Sequence, residues 1–355
     1  MKGFWTKANK HKVKVLVVST SRHTHGGITE VLKLYEKSTI WTKYNCRWIG
    51  TSCNYNNILN KVWWIIKALS QYIVLLPFYD IVHIHFSLHN SAKRKFPFFI
   101  LAKLYHKKIV IHLHCGSQID NIWSYVYNIM FKQCNCSIVL SENLKTKIEE
   151  HIGTNKKIRV VYNPCPIIEY TTKYEKQDLI LFSGRLQEGK GYKDLIKAFA
   201  KIAQKHPDWR LVMAGNGDTK QAYSLAFDLG ISKQVALPGW IEGESKHKIY
   251  SEAKVLCLPS YAEGFPVAIL EACAYGLPII TTPVGGIPDV AIDNVNMLLF
   301  NPPGNIELLS QCLDLIISDT NLREKLAKEA KYLADTKFNI NTIVNQIGDI
   351  YEELK

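Results

Sequence analysis

The chain has 355 residues, 47% of them hydrophobic, which gives enough apolar surface for two ordinary domains and argues against disorder. Its net charge of +13 is uneven: residues 1–165 carry 24 Lys+Arg against 7 Asp+Glu, and the remainder carries 20 against 24. A basic half points to nucleic acid, an anionic membrane surface or phosphorylated substrates, and the sequence has no nucleic-acid-binding motif to support the first.

The start, MKGFWTKANKHK, is basic, but the apolar run after it is too short for a signal peptide, so a cytoplasmic location is expected. Residues 13–18, VKVLVV, predict a strand; the turn STSRHTHGG and a helical pattern through Val31, Leu32 and Tyr35 follow. Residues 62–79 are the most apolar stretch, but Lys67, Gln71 and Pro77 interrupt it and it is short for a membrane span, which predicts a buried or surface-lying helix. A second strand is predicted over 81–86. After it, residues 89–108 mix cations with Phe96, Phe98, Phe99 and Tyr105, as either an interfacial element or a solvated basic face over a buried apolar one would. Further strands fit 108–114, 136–141 and 158–163, with helical patterns between them.

The two prolines and polar run of 163–178 suit a linker. A second series of strands then fits 179–184, 209–215, 255–260, 278–282 and 296–300, and the chain from Pro303 onward is helical in pattern. Short apolar strands alternating with helices predict parallel sheets covered on both faces, here two doubly wound α/β units. The nine cysteines are odd in number and scattered, which fits free thiols better than a disulfide framework.

In such sheets ligands bind at the carboxyl ends of the strands, so the residues after each strand are the candidates. After the first strand, Gly26 and Gly27 let backbone approach a ligand at a helix start. HGGI is not the G-x-G-x-x-G fingerprint and no acidic residue ends a clear second strand, which disfavours a dinucleotide oxidoreductase. In SGRLQEGKGY, Arg185 and Lys190 stand in a glycine-rich loop where they could clamp a diphosphate. In EGFPVAILE, Glu263 lies outside a helix that Pro266 suits at its first turn, and Glu271 lies inside it among apolar residues. The N–H groups of Gly264, Phe265 and Val267 could hold a phosphate. Glu263 would then reach a sugar hydroxyl and Glu271 a ribose. A carboxylate buried in that helix needs a partner, and ligand hydroxyls qualify. His83 and His85, and His112 and His114, form two His-x-His pairs, each on one face of a predicted strand. They suit zinc or a lined core.

Taken together, HGGI, SGRLQEGKG, MAGNGD, LPGW and LPSYAEGFPVAILEACAYGLPIITTPVGGIPDV resemble the family 4 retaining glycosyltransferases, over about 13–351. The resemblance implies the GT-B fold: two Rossmann-like domains facing a central cleft. Residues 1–165 would form the acceptor domain, 166–337 the nucleotide-sugar donor domain, and a helix at about 338–355 would cross back to the first. It implies a retaining transferase whose co-substrate is a nucleoside-diphosphate sugar, a UDP-sugar foremost, with no cofactor and no metal. By the same resemblance Arg185 and Lys190 bind the diphosphate, Glu271 the ribose and Glu263 the transferred sugar, and Gly26 and Gly27 approach the phosphate. Gly215, Asn216 and the backbone near Ile241 border the base, Pro266 belongs to the donor loop, His114 contacts the sugar, and Asn163 marks the crossover between domains.

The basic, aromatic first half suggests an acceptor held at a membrane, such as a lipid-linked saccharide in cell-surface polysaccharide assembly, with the enzyme peripheral on the inner face. Two other classes are weighed beside this: a metal-dependent hydrolase using the histidines, and a non-catalytic sugar-nucleotide-binding protein.

Overall fold

A computed structural model describes residues 12–24, 26–52, 57–87, 89–114, 124–154 and 157–355. The chain divides into two compact units, one of residues 1–113, 124–138 and 344–355, the other of 114–123 and 139–343.

The first series runs β1 (Val15–Ser19), α1 (Gly27–Lys37), α2 (Thr39–Lys43), β2 (Arg47–Gly50), α3 (Ile58–Leu75), β3 (Ile81–Phe86), α4 (His89–Leu104), β4 (Lys108–Leu113), α5 (Tyr125–Gln133), β5 (Cys136–Val139), α6 (Glu142–Ile152) and β6 (Ile158–Val160). Its sheet has the order β2-β1-β3-β4-β5-β6. The central strands β1 and β3 are buried along their whole length, as β-branched runs packed by helices on both faces must be. The order reverses between β1 and β3, so the loops after these two strands bound the sheet's natural ligand crevice.

The second series runs β7 (Leu179–Ser183), α7 (Tyr192–Ile202), β8 (Arg210–Ala214), α8 (Thr219–Asp228), β9 (Val235–Gly239), α9 (Gly243–Glu252), β10 (Val255–Leu258), α10 (Val267–Ala274), β11 (Ile279–Thr281), β12 (Leu298–Leu299), α11 (Ile306–Ser318) and α12 (Thr320–Asp335). The order β12-β11-β10-β7-β8-β9 is again all parallel, with its switch point between β7 and β10. That reversal brings together the two loops carrying Lys190 and Glu263, which are 73 residues apart in sequence.

The last helix, α13 (Ile340–Glu353), contributes Val344, Ile347, Ile350 and Tyr351 to the buried set. The Tyr44 hydroxyl donates to Gly348 O (3.1 Å), and the Tyr351 hydroxyl lies 2.6 Å from His83 Nδ1 on β3. The helix is thereby held to the first unit by its apolar stripe and by two tyrosine hydroxyls. The stretch 164–177, expected as a linker, has no regular secondary structure. Two strands were missing from the sequence expectation: β2 and β9. Both lie away from the centre of their sheets, and β9 alternates half-buried with exposed residues instead of forming an apolar run.

Candidate functional site

The loop after β7 folds into a short turn in which Gly191 N donates to Glu188 O (2.9 Å), and the turn ends on Lys190. Lys190 Nζ lies 2.5 Å from Glu263 Oε1, and the Ser260 hydroxyl donates to the same oxygen at 2.7 Å. Ser260 is fixed in turn, because its carbonyl accepts the Thr282 hydroxyl at 2.5 Å. Behind Glu263 the chain is squeezed by the turn after β11. Gly285 has φ +63°, a Cβ there would sit 2.1 Å from Glu263 O, and Gly286 N donates to Gly264 O at 2.7 Å. Only glycine lets that turn press against the Glu263 backbone.

Glu271, inside α10, is 8% exposed. The sequence expectation gave this carboxylate a ligand as its partner, but the chain itself supplies two. Lys246 Nζ is 2.6 Å from Oε1, and the Tyr250 hydroxyl donates to Oε2 at 2.6 Å. Tyr250 is wholly buried, and that burial, followed by the Glu271 charge, holds its pKa well above the usual phenol value. It therefore stays a proton donor. Lys246 and Tyr250 sit one turn apart on α9, and neither was among the sequence candidates. Their signal was an i, i+4 pair in a helix that the chain closes onto α10.

A cavity of about 90 Å³ lies beside Glu271, with Ile167, Tyr170, Lys246, His247, Tyr250 and Tyr275 in its wall. His247 pins that wall. Its ring stacks on Tyr170 (4.7 Å between centroids), Nδ1 lies 3.0 Å from the Tyr275 hydroxyl, and Nε2 lies 2.8 Å from Thr172 O.

The other candidates of the second unit fall around these two clusters. Arg185 is exposed, with no ion-pair partner among the described residues. Gly215 follows β8 where a Cβ would lie 1.8 Å from Gly184 O, so its backbone approach serves the loop after β7. Asn216 Oδ1 accepts from Trp240 N at 3.2 Å, which ties the loops after β8 and β9 together, and Ile241 is buried next to them.

Pro266 is not in the first helical turn as expected. It is the N-cap, with extended dihedrals, and α10 begins at Val267. The first N–H groups of a helix have no acceptor within it, so Val267 and Ala268 leave an end suited to an anion, while Gly264 lies before the N-cap and outside the helix. The Phe265 ring is taken up by the core, 5.5 Å from Tyr162 and 5.1 Å from Phe338, leaving only its backbone for a ligand.

On the first series, Gly26 caps α1, its carbonyl accepting from Thr29 N (3.0 Å) and Glu30 N (3.2 Å), with open space where a Cβ would be. Gly27 is the first residue of α1. The loop before them is braced by Thr29, whose hydroxyl lies 3.0 Å from that of Thr20 and 2.8 Å from that of Thr24. His114 follows β4 half-buried; Cys115 and Gly116, which belong to the same pattern, lie outside the described residues. Asn163 is 3% exposed, and its Oδ1 is buried without a hydrogen-bond partner among the described residues.

The first His-x-His pair stays together and the second is split. His83, His85 and His112 gather on one face of the first sheet with ligand atoms within 4.8 Å, and His114 stands outside the group. All three are buried, at 0–1% exposure, so the cluster is closed to a substrate.

Residues 7–167 match the family described as Glycosyltransferase Family 4, and residues 167–332 match Glycosyl transferases group 1. The chain belongs to this glycosyltransferase family. It is 28% identical over 243 residues to an uncharacterized glycosyltransferase of Methanocaldococcus jannaschii, covering 64% of this chain and 62% of that protein. It is 30% identical over 216 residues to GalNAc-alpha-(1->4)-GalNAc-alpha-(1->3)-diNAcBac-PP-undecaprenol alpha-1,4-N-acetyl-D-galactosaminyltransferase of Campylobacter jejuni, covering 59% of this chain and 58% of that one. The matches thus span about three-fifths of these relatives' lengths. Among solved structures, HepE of Anabaena in complex with UDP shares the fold at a TM-score of 0.75 and 18% identity, over 96% of this chain and 100% of that one. The fold is GT-B.

Proposed function

We propose that the protein is a retaining glycosyltransferase that takes a sugar from a nucleoside diphosphate, a UDP-sugar foremost, and passes it to a lipid-linked saccharide. The observation that carries this is the pairing of both glutamates of EGFPVAILE with a cation at the switch point of the second sheet, Glu263 with Lys190 and Glu271 with Lys246. HepE was crystallised with UDP and with UDP-glucose, and the Campylobacter relative is named for an undecaprenol-diphosphate-linked acceptor. Both support the assignment.

In this assignment Arg185, Lys190 and the start of α10 receive the diphosphate, Glu271 the ribose and Glu263 the sugar. Gly215, Asn216 and Ile241 border the base, and Gly26, Gly27 and His114 complete the set from the first series. Lys190 exchanges Glu263 for a phosphate oxygen when donor binds, which frees Glu263 for a sugar hydroxyl. The acceptor hydroxyl oxygen bonds to the anomeric carbon as the bond from that carbon to the β-phosphate oxygen breaks. The leaving diphosphate accepts the hydroxyl proton, and the negative charge gathering on it is held by Arg185, Lys190 and the helix end. Those groups supply the opposing positive charge, so no metal is assigned to the step.

A membrane-held acceptor agrees with α3, whose Leu59, Val62, Trp63 and Ile66 are exposed next to Lys61 and Lys67. Among the described residues no helix is long and apolar enough to cross a membrane. Contact of α3 with an anionic bilayer surface is tested by flotation with anionic liposomes, where no association at low salt refutes it. The donor assignment is tested by a thermal-shift screen of nucleotides and nucleotide sugars. UDP and one or more UDP-sugars should raise the unfolding midpoint, and no shift from any nucleotide would overturn it.

A further inference from the structure

The first series carries a second set of cations that the donor assignment does not use. Between Ile81 and Ser141 the sequence has seven Lys+Arg and one acidic residue, Asp120. Two of those cations are adjacent on α4 and drawn inward. Lys95 is 0% exposed and Arg94 is half-buried, with its Nε shielded and without a hydrogen-bond partner among the described residues. Neither forms an ion pair with a carboxylate of the described residues. The polar contact of Lys95 is to Ser91 Oγ at 2.8 Å, one turn back toward the helix start, and the same oxygen receives Ser87 N at 3.3 Å. Ser91 Oγ thus accepts twice, and its own proton is left to donate.

Burying a cation without a counter-charge is costly. Burial, and then the neighbouring Arg94 charge, hold Lys95 well below the usual lysine range. A protein that keeps two such groups together keeps a place for an anion. Position says which end of the sheet it serves: Ser87 and Ser91 follow β3, one of the two strands at the switch point of the first sheet. The α5 helix closes the far side, with the Tyr127 hydroxyl donating to Ser87 O at 2.8 Å.

We infer that the start of α4 binds a phosphate or diphosphate carried by the acceptor, through the guanidinium of Arg94 and the hydroxyl of Ser91, with the side-chain nitrogen of Lys95 behind them. The inference rests on the glycosyltransferase assignment for the word acceptor, but the anion site stands on the α4 residues alone. The shared chemistry is the phosphate, and its source is either an isoprenyl diphosphate or a soluble phosphate ester.

The test is calorimetric titration of the full chain with geranyl diphosphate and with inorganic pyrophosphate, both with UDP present in excess to fill the donor site. Wild type should bind, with Arg94→Gln and Lys95→Met each weakening binding about tenfold or more, as loss of a charged hydrogen-bonding group does. The dissociation constant for UDP should stay unchanged in both. Tighter binding of geranyl diphosphate than of pyrophosphate assigns a lipid carrier, and equal binding assigns a soluble ester; either supports the site. Variants that bind as wild type does, or a wild type that binds neither probe at millimolar concentration, overturn it. Arg94 is half-exposed, so Arg94→Gln tests the site even if Lys95→Met fails to fold. Failure of UDP itself to bind counts against the glycosyltransferase assignment, and pyrophosphate without UDP then still reads the α4 site.

Discussion

Replacing Glu271 separates its work in the fold from its work on a ligand. In Glu271→Ala the Tyr250 hydroxyl, wholly buried, loses its 2.6 Å acceptor. An unsatisfied buried hydroxyl costs about 1–3 kcal/mol. The Lys246 side chain is 29% exposed and can turn to water, so the ion pair adds only about 0–1 kcal/mol. The sum is about 1–4 kcal/mol, or roughly 2–16 °C in the midpoint for a unit of this size. Glu271→Gln keeps an acceptor for Tyr250 and should cost less than about 1 kcal/mol, while losing the charge that grips a ribose. Adding Tyr250→Phe to Glu271→Ala should restore part of the loss, because the hydroxyl left with only its Ser183 contact goes with it. Thermal unfolding and UDP titration on the same four proteins give both readouts. An Ala variant with an unchanged midpoint would refute the account of Tyr250, and a Gln variant with wild-type affinity for UDP would refute the ribose contact.

Further outcomes follow from other contacts. Lys190→Ala should weaken UDP binding about tenfold while Ser260→Ala, which leaves the lysine in place, changes it less; isothermal titration decides. Lys95→Met should raise the unfolding midpoint near neutral pH. The folded-state pKa of Lys95 lies below its unfolded value of about 10.5, so the wild type gives up a proton on folding and gains stability as pH rises toward that value. The advantage of Met should accordingly shrink between pH 7 and pH 10.5, and an advantage that grows instead would contradict the burial of an unpaired amine. Ending the chain at Asn339 exposes the surface that Ile347, Ile350 and Tyr351 cover, each worth about 1.5–3 kcal/mol, and should give an aggregating product by light scattering.

The centre of each sheet was legible because strands buried on both faces must read as unbroken apolar runs: IVHIHF became β3 with its boundaries unchanged. The edges were not. β9, VALPG, alternates and contains a proline, which an outer strand tolerates and a central one does not. Within the site, the two loops that carry Lys190 and Glu263 announced themselves through glycine spacing after a strand. The direct bond between those side chains did not, because it depends on the β7–β10 adjacency that only the strand order supplies. Lys246 and Tyr250 were missed for the same reason: on α9 they look like an ordinary exposed and an ordinary buried residue, and tertiary packing alone brings them to Glu271. The histidines divide as a lined core requires: His83, His85 and His112 are buried together, and His114 stands apart after β4.

The most direct test of the central claim is transfer itself. The purified chain should be incubated with each of a panel of UDP-sugars and an isoprenyl-diphosphate-linked saccharide, and the UDP released and the anomeric configuration of the product measured by NMR. The account predicts UDP release matched one for one by product, in the anomeric configuration of the donor, and abolished in Glu263→Ala. An inverted product, or UDP release that persists in Glu263→Ala, would contradict it.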